Sequence, residues 1–184
     1  MRVAVVAAGD PLDVRTWSGT PYFMTKSLRT AFPDLITVHS PRPSWFSLLR
    51  RAVRKVSSGR LDIAWNYALA ESSAVRLANE LRSEHVDVVI AIGNSALSAF
   101  LAAHLPTVHI SDATVPLMRD YYSEFSKLPH VLVETALRLD RLSVLRSRAC
   151  LFSTEWAARS AVFDYAADPA RVHVVPWCAN INLQ

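Results

Sequence analysis

The chain is predicted to fold as an α/β domain: a single Rossmann-like parallel sheet with helices on both faces. Three observations point there. Two runs, residues 2–8 and 86–92, are almost continuously apolar, and the second is rich in β-branched residues. Such runs suit strands buried on both faces. Segments with helical spacing alternate with them along the chain, which implies parallel strands joined by crossover helices. The 184 residues are 51% hydrophobic, enough for one domain with a real core.

The elements follow in order. Residues 2–8 form the first strand and 21–31 the first helix. Residues 35–39 make a short second strand. Helical spacing returns over 45–56 and again over 67–84, where Ala68, Leu69, Ala74, Val75, Leu77, Ala78 and Leu81 lie mostly on one side. After the strand at 86–92 come a helix over 95–104, a short strand over 107–110, a polar loop and a short helix over 116–123. A helix over 130–146, a strand over 149–153, a helix over 154–165 and a last strand over 172–175 complete the pattern. Pro176 then stops it. Residues 1–176 are read as one domain, and 177–184, without periodicity, as the start of a linker.

Composition excludes several classes. No stretch approaches the roughly 18 apolar residues of a membrane span. The apolar start turns polar at Asp10, so it reads as a strand and not as a signal peptide. With two cysteines, Cys150 and Cys178, no disulfide scaffold is expected, and a reducing cytoplasm is the expected compartment. Without a nearby His or Asp cluster they make a poor metal site, and none is expected.

The net charge of +4 permits an anionic partner, and its distribution says more. Between Asp34 and Asp62 there is no acidic residue, while Arg42, Arg50, Arg51, Arg54, Lys55 and Arg60 crowd in. On the helix over about 44–57, Trp45, Leu48, Leu49, Ala52, Val53 and Val56 share one face, with Phe46 at its edge. Arg50, Arg51, Arg54 and Lys55 occupy the other. This is the pattern of a helix lying on anionic lipid, or of a surface helix packed by its apolar face. Aromatics are not interleaved on the basic face, and no nucleic-acid signature accompanies it, so nucleic acid is not an expected partner.

Candidate site residues gather where strands end. The segment Asp13-Val-Arg-Thr-Trp-Ser-Gly-Thr-Pro-Tyr22 leaves the first strand and opens the first helix, where parallel α/β sheets bind ligands. Gly19 permits close backbone approach, Thr20 suits a cap, and Pro21 suits the first turn. The loop, with Trp17 and Ser18, reads either as an anion site at a helix N-terminus or as a plain cap. It carries no G-x-G-x-x-G, which argues against nicotinamide binding. Asn94 and Ser95 form a similar strand-to-helix turn, as cleft residues or as caps. Asp112 lies just beyond a strand, either as a functional carboxylate or as the cap of the following helix. His109, inside that strand, reads first as a core histidine. Glu155 and Trp156 open a later helix; Glu155 complements the helix dipole, and Trp156 is either packed or free to stack on a ligand.

Three separated segments together resemble GT-B glycosyltransferases of the GT4 type (the group 1 family). They are Asp13–Tyr22, Val108-His-Ile-Ser-Asp-Ala-Thr114, and Leu151–Ala158 followed by Asp168-Pro-Ala-Arg-Val-His-Val-Val-Pro-Trp-Cys-Ala-Asn180. The resemblance covers nearly the whole chain. It implies the N-terminal, acceptor-side half of an enzyme with two Rossmann-like domains. The other half would hold a nucleotide-diphosphate sugar and carry an acidic motif, Glu followed by seven residues and another Glu. The implied reaction is transfer of that sugar to a sugar or lipid-linked acceptor. It is generally retaining and generally free of metal, with no resident cofactor, and this half alone is expected to be inactive. Cys178 departs from the family, where many relatives carry Gly.

The resemblance also implies roles. The Trp17–Thr20 loop would approach donor phosphates or acceptor. Many relatives place a His against the transferred sugar near the end of the mid-domain strand, and counted from Pro106 that position falls on Asp112 better than on His109. Asp112 is therefore the candidate catalytic residue and His109 its alternative. Asn94, Glu155 and Trp156 are candidate substrate contacts. A lone Rossmann-like module docking on membrane or protein through the basic helix is the alternative from another class.

Overall fold

The computed structural model describes residues 1–38, 44–56, 66–122 and 128–180. The elements in chain order are β1 (Val3–Ala7), α1 (Thr20–Ala31), β2 (Ile36–Val38), α2 (Ser44–Val56), α3 (Tyr67–Ser83), β3 (Val88–Ile92), α4 (Ser95–Leu101), β4 (Thr107–Ser111), α5 (Val115–Tyr121), α6 (His130–Arg146), β5 (Ala149–Phe152), α7 (Glu155–Tyr165) and β6 (Val172–Val174). The six strands form one sheet in the order β2-β1-β3-β4-β5-β6, and every neighbouring pair is parallel. The chain is a Rossmann-like α/β domain, as the alternation of its sequence predicts.

Two boundaries differ from the sequence reading for a local reason. Val86 is apolar, yet it does not join β3. His85 adopts a left-handed φ of 55°, and the Val86 N–H donates to the Leu81 carbonyl (3.0 Å), closing the end of α3. At the end of α4, the chain leaves the helix after Leu101, and the His104 and Leu105 N–H groups both turn back to that residue's carbonyl.

Strand register sorts the side chains into two faces. Ala4, Val6 and Val89 pack against Ala74, Leu77, Ala78 and Leu81 of α3, Leu97 and Leu101 of α4, and Leu139 of α6. On the same face, Cys150 and Phe152 pack against Ala157, Ala161 and Tyr165 of α7 and Val144 of α6. The opposite face carries Val3, Val5, Ile90, Ile92 and Ile110, covered by Met24 and Leu28 of α1 and by Trp17 and Trp177.

The asymmetry follows from handedness. Right-handed crossovers that step in opposite directions put their helices on opposite faces. From β1 the chain steps one way to β2 through α1. Every later crossover steps the other way, so α3, α4, α6 and α7 share the second face.

One buried carboxylate ties that face together. Asp140 of α6 is 1% exposed. It accepts hydrogen bonds from the Ser95 hydroxyl (2.5 Å), the Val115 N–H (2.8 Å) and the Tyr165 hydroxyl (2.7 Å). A single side chain thus joins α4, α5 and α7 to α6.

Candidate functional site

The site residues stand along the carboxyl edge of the sheet. β1 and β3 are neighbours at the point where the strand order reverses, and the crevice there is where open parallel sheets take ligands. Trp17, Ser18 and Gly19 adopt consecutive left-handed conformations, with φ of 44°, 55° and 82°. For the two non-glycine residues this costs roughly 1–2 kcal/mol each. Such strain persists only where the surroundings hold it, and it concentrates at ligand sites. Here Trp17 is held on both sides. Its ring lies over Gly93, where a Cβ would come within 2.7 Å of it. Its other neighbour is Trp177, in edge contact at 5.4 Å between centroids. Gly93 is therefore required twice over: for that clearance and for its own φ of 60°.

The turn corrects the expected cap of α1. Thr20 is not the N-cap; Gly19 is, and no side chain caps the helix. The three left-handed residues leave Thr20 inside the first turn, with Pro21 following. The Thr20 hydroxyl instead accepts a hydrogen bond from Asn180 Nδ2 (3.1 Å), which also donates to the Ser18 carbonyl (2.9 Å). The Thr20 N–H donates to the Trp17 carbonyl and Pro21 has none, so Tyr22 and Phe23 carry the remaining first-turn N–H groups, where the helix dipole favours an anion. The loop before it is self-braced: the Asp13 carboxylate takes both the Arg15 guanidinium and the Arg15 N–H. That pairing holds the Asp13 carboxyl below its ordinary range.

Asn94 is a structural anchor in the same crevice. It is buried, donates from Nδ2 to the Ala7 carbonyl (3.2 Å) and accepts from the Leu97 N–H (3.3 Å). It caps α4 and ties β3 to β1, so both ends of its amide are occupied. The Ser95 hydroxyl is likewise committed, to Asp140.

Asp112 follows β4, two strand spacings from β1, or about 10 Å along the edge. It is exposed and does not cap α5. Thr114 holds the cap position, but its hydroxyl pairs with the Ser160 hydroxyl instead of capping α5, and the Val115 N–H goes to Asp140. Relieved of capping, Asp112 is available to a ligand. Desolvation raises its pKa, against the pull of the Asp112 and Ala113 N–H groups. A carboxylate so placed is a better proton acceptor near neutrality than a fully hydrated one.

His109 belongs to the core. It is fully buried on the helix-covered face, with Nδ1 3.3 Å from the Ser98 hydroxyl and Nε2 without a partner. Burial lowers its pKa, opposed by the Asp140 carboxylate. It has no access to the edge, which leaves Asp112 as the candidate of the two. Glu155 and Trp156 begin α7 beside β5, both exposed; Thr154 caps the helix by accepting from the Ala157 N–H (3.2 Å).

Behind the edge, a cavity of about 610 Å³ opens between α1 and residues 175–180. Phe23, Met24, Leu28, Ile110, Leu151 and Trp177 line it, with Cys178 and Asn180 at the strap. Residues 176–180, read from the sequence as aperiodic, thus run along the domain with Trp177 packed into it. Among the described residues, no three His, Cys, Asp or Glu side chains gather to hold a metal ion.

α2 forms as expected. Leu48 is 70% and Val56 88% exposed, Leu49 and Ala52 are exposed too, and so are Arg51 and Lys55 on the basic side. The side chains of Trp45, Phe46, Arg50 and Arg54 lie outside those described. No described helix is long and apolar enough to cross a membrane.

In comparisons with known proteins, no family model matches the chain and no curated protein matches it. The fold and its edge therefore define the class, a Rossmann-like domain, and the functional reading rests on the site.

Sequence reasoning missed Asp140 and Asn180. A signal existed for the first. Asp140 falls on the apolar stripe of α6 with Val133, Ala136, Leu139 and Val144, and a carboxylate at a core position needs partners. Asn180 acts through tertiary contacts that no periodicity announces.

Proposed function

We propose that the chain is the acceptor-side domain of a glycosyltransferase. The enzyme would move a sugar from a nucleotide-diphosphate donor to a sugar or lipid-linked acceptor in the cytoplasm. The observation that carries this reading is the strained turn Trp17–Gly19, which presents an uncapped helix N-terminus at the switch-point crevice. Glycosyl transfer needs charge on a departing diphosphate stabilised and an acceptor hydroxyl oriented. The first turn of α1 suits the diphosphate. Asp112, about two strands away, suits the hydroxyl, accepting its hydrogen bond and then its proton. The order of the three resembling segments supports the same assignment.

The test is an amide-resolved NMR titration of the chain, first with inorganic pyrophosphate and then with a set of methyl glycosides. Pyrophosphate is expected to shift the Ser18–Phe23 amides, and glycosides those of Asp112 and Ala113. Perturbations confined to the opposite edge of the sheet, or none with either probe, overturn the reading.

One observation favours a second, compatible reading. The exposed Leu48 and Val56 with Arg51 and Lys55 fit docking of α2 on anionic lipid. Co-sedimentation with phosphatidylglycerol vesicles and not with phosphatidylcholine, lost in Leu48→Glu, is the expected result. Equal recovery with both lipids ends it.

A further inference from the structure

Three exposed aromatic rings meet at the same edge. Tyr121, the last residue of α5, is 75% exposed, Tyr122 49% and Trp156 52%. Tyr121 stands edge-on to both neighbours, 5.2 Å from Tyr122 and 6.3 Å from Trp156 between centroids. The planes of Tyr121 and Trp156 are inclined at 66°, so the two rings form an open corner. Trp156 is the second residue of α7, directly after β5, and its contact brings Tyr121 to that edge as well. Asp112 follows β4 and Glu155 follows the neighbouring strand β5, and both are exposed.

Large aromatic side chains ordinarily bury most of their surface. These touch one another edge-on and stay largely in water, on the sheet edge that also carries Asp112 and Glu155. The chemistry that fits such a corner is a pyranose: a flat face of C–H groups to lie on one ring, and a rim of hydroxyls to donate to carboxylates. We propose that Tyr121, Tyr122 and Trp156 form a stacking subsite for one sugar ring of the acceptor. The inference rests on the glycosyltransferase reading and extends its site from Asp112 toward β5. A single pyranose would need only these three rings. A partner protein laid along α7 would also use Phe163, which lies two turns beyond Trp156 on the same side and is 79% exposed.

Saturation-transfer NMR of the chain with methyl glycosides of glucose, mannose, galactose and N-acetylglucosamine tests this. At least one glycoside is expected to receive transfer mainly at the C–H protons of one face. Trp156→Ala and Tyr121→Ala should each weaken binding by about five-fold or more, within the range of aromatic stacking. Trp156→Phe should restore most of it, and Phe163→Ala should leave it unchanged. Wild-type binding in Trp156→Ala, with Asp112 still perturbed, overturns the subsite and leaves the transferase reading standing. An equal loss in Phe163→Ala overturns it in favour of a protein-docking surface. If no glycoside binds the wild-type chain, the subsite falls, while a pyrophosphate response at Ser18–Phe23 would separately uphold the transferase reading.

Discussion

Leu151 and Phe152 are adjacent on β5 and point to opposite faces of the sheet. Phe152 is fully buried under α6 and α7. Leu151 is half-buried and lines an open cavity. The difference comes from the direction of the crossovers, since α1 was sent to the Leu151 side while α3, α4, α6 and α7 cover the other. Stability is concentrated on the face covered by four helices. The other face and its edge hold the strained turn, the strap and the cavity, where a ligand can be taken up without dismantling the core.

The comparison breaks most severely at Asp140. Asp140→Ala would leave the Ser95 hydroxyl, the Val115 N–H and the Tyr165 hydroxyl without their acceptor. Buried groups orphaned in this way cost roughly 1–3 kcal/mol each, so a loss of about 3–5 kcal/mol in urea unfolding is expected. That is a large part of the roughly 5–15 kcal/mol that domains possess. Asp140→Asn keeps one acceptor oxygen and should lose less. A loss under about 1 kcal/mol for the alanine variant would mean that the covered face is not held as described.

The adjacent pair on β5 gives the next largest effect and the most direct contrast. Phe152→Ala should cost about 3–5 kcal/mol, the usual range for a buried aromatic. Leu151→Ala, beside an existing cavity, should cost about 1–2 kcal/mol. Equal losses would mean that the cavity side is as tightly packed as the other.

Much of the covered face was legible in the sequence. The near-continuous run at β3 announced a strand buried on both sides, and the stripe Ala74, Leu77, Ala78, Leu81 announced the face of α3 that meets it. The site was legible only in outline. Gly19 and Pro21 marked where α1 begins, but nothing local said that Trp17 and Ser18 would turn left-handed. Those conformations are imposed by Gly93 and Trp177, which are remote in sequence. Likewise the rule that a carboxylate before a helix caps it suggested a role for Asp112 that Asp140 performs from another helix. Tertiary contacts override local propensity where the chain is held in place for another purpose.

Gly93→Ala sharpens the comparison at the crevice. The substitution forces a left-handed φ on alanine and drives its Cβ into the Trp17 ring. A loss of about 1–3 kcal/mol is expected, together with a shift in tryptophan emission as Trp17 moves off Trp177. The informative readout is pyrophosphate: the Ser18–Phe23 response should weaken more than stability alone explains. An unchanged response would show that the turn keeps its shape without Trp17.

The two cysteines report the two faces with the smallest perturbation. Cys150 lies on the covered face, 1% exposed, and Cys178 stands exposed on the cavity strap. Burial, with the Asp140 carboxylate adding and Arg171 opposing, pushes the Cys150 thiol from its ordinary 9.0 up to about 12. At pH 8 a disulfide reagent should therefore titrate one thiol in the folded protein and a second only on unfolding. The same shift sets a pH dependence. The folded state keeps the Cys150 proton to about pH 12, whereas the unfolded chain releases it near 9.0. Its contribution to stability is then complete below about pH 9 and is lost as the pH rises toward 12. Tyr165, raised first by burial and then by Asp140, acts in the same direction at higher pH. Cys150→Ala should flatten the alkaline fall between those limits, and Cys178→Ala should not. Rapid reaction of both thiols in the folded protein would show that the covered face opens as readily as the other, and the distinction between them would be lost.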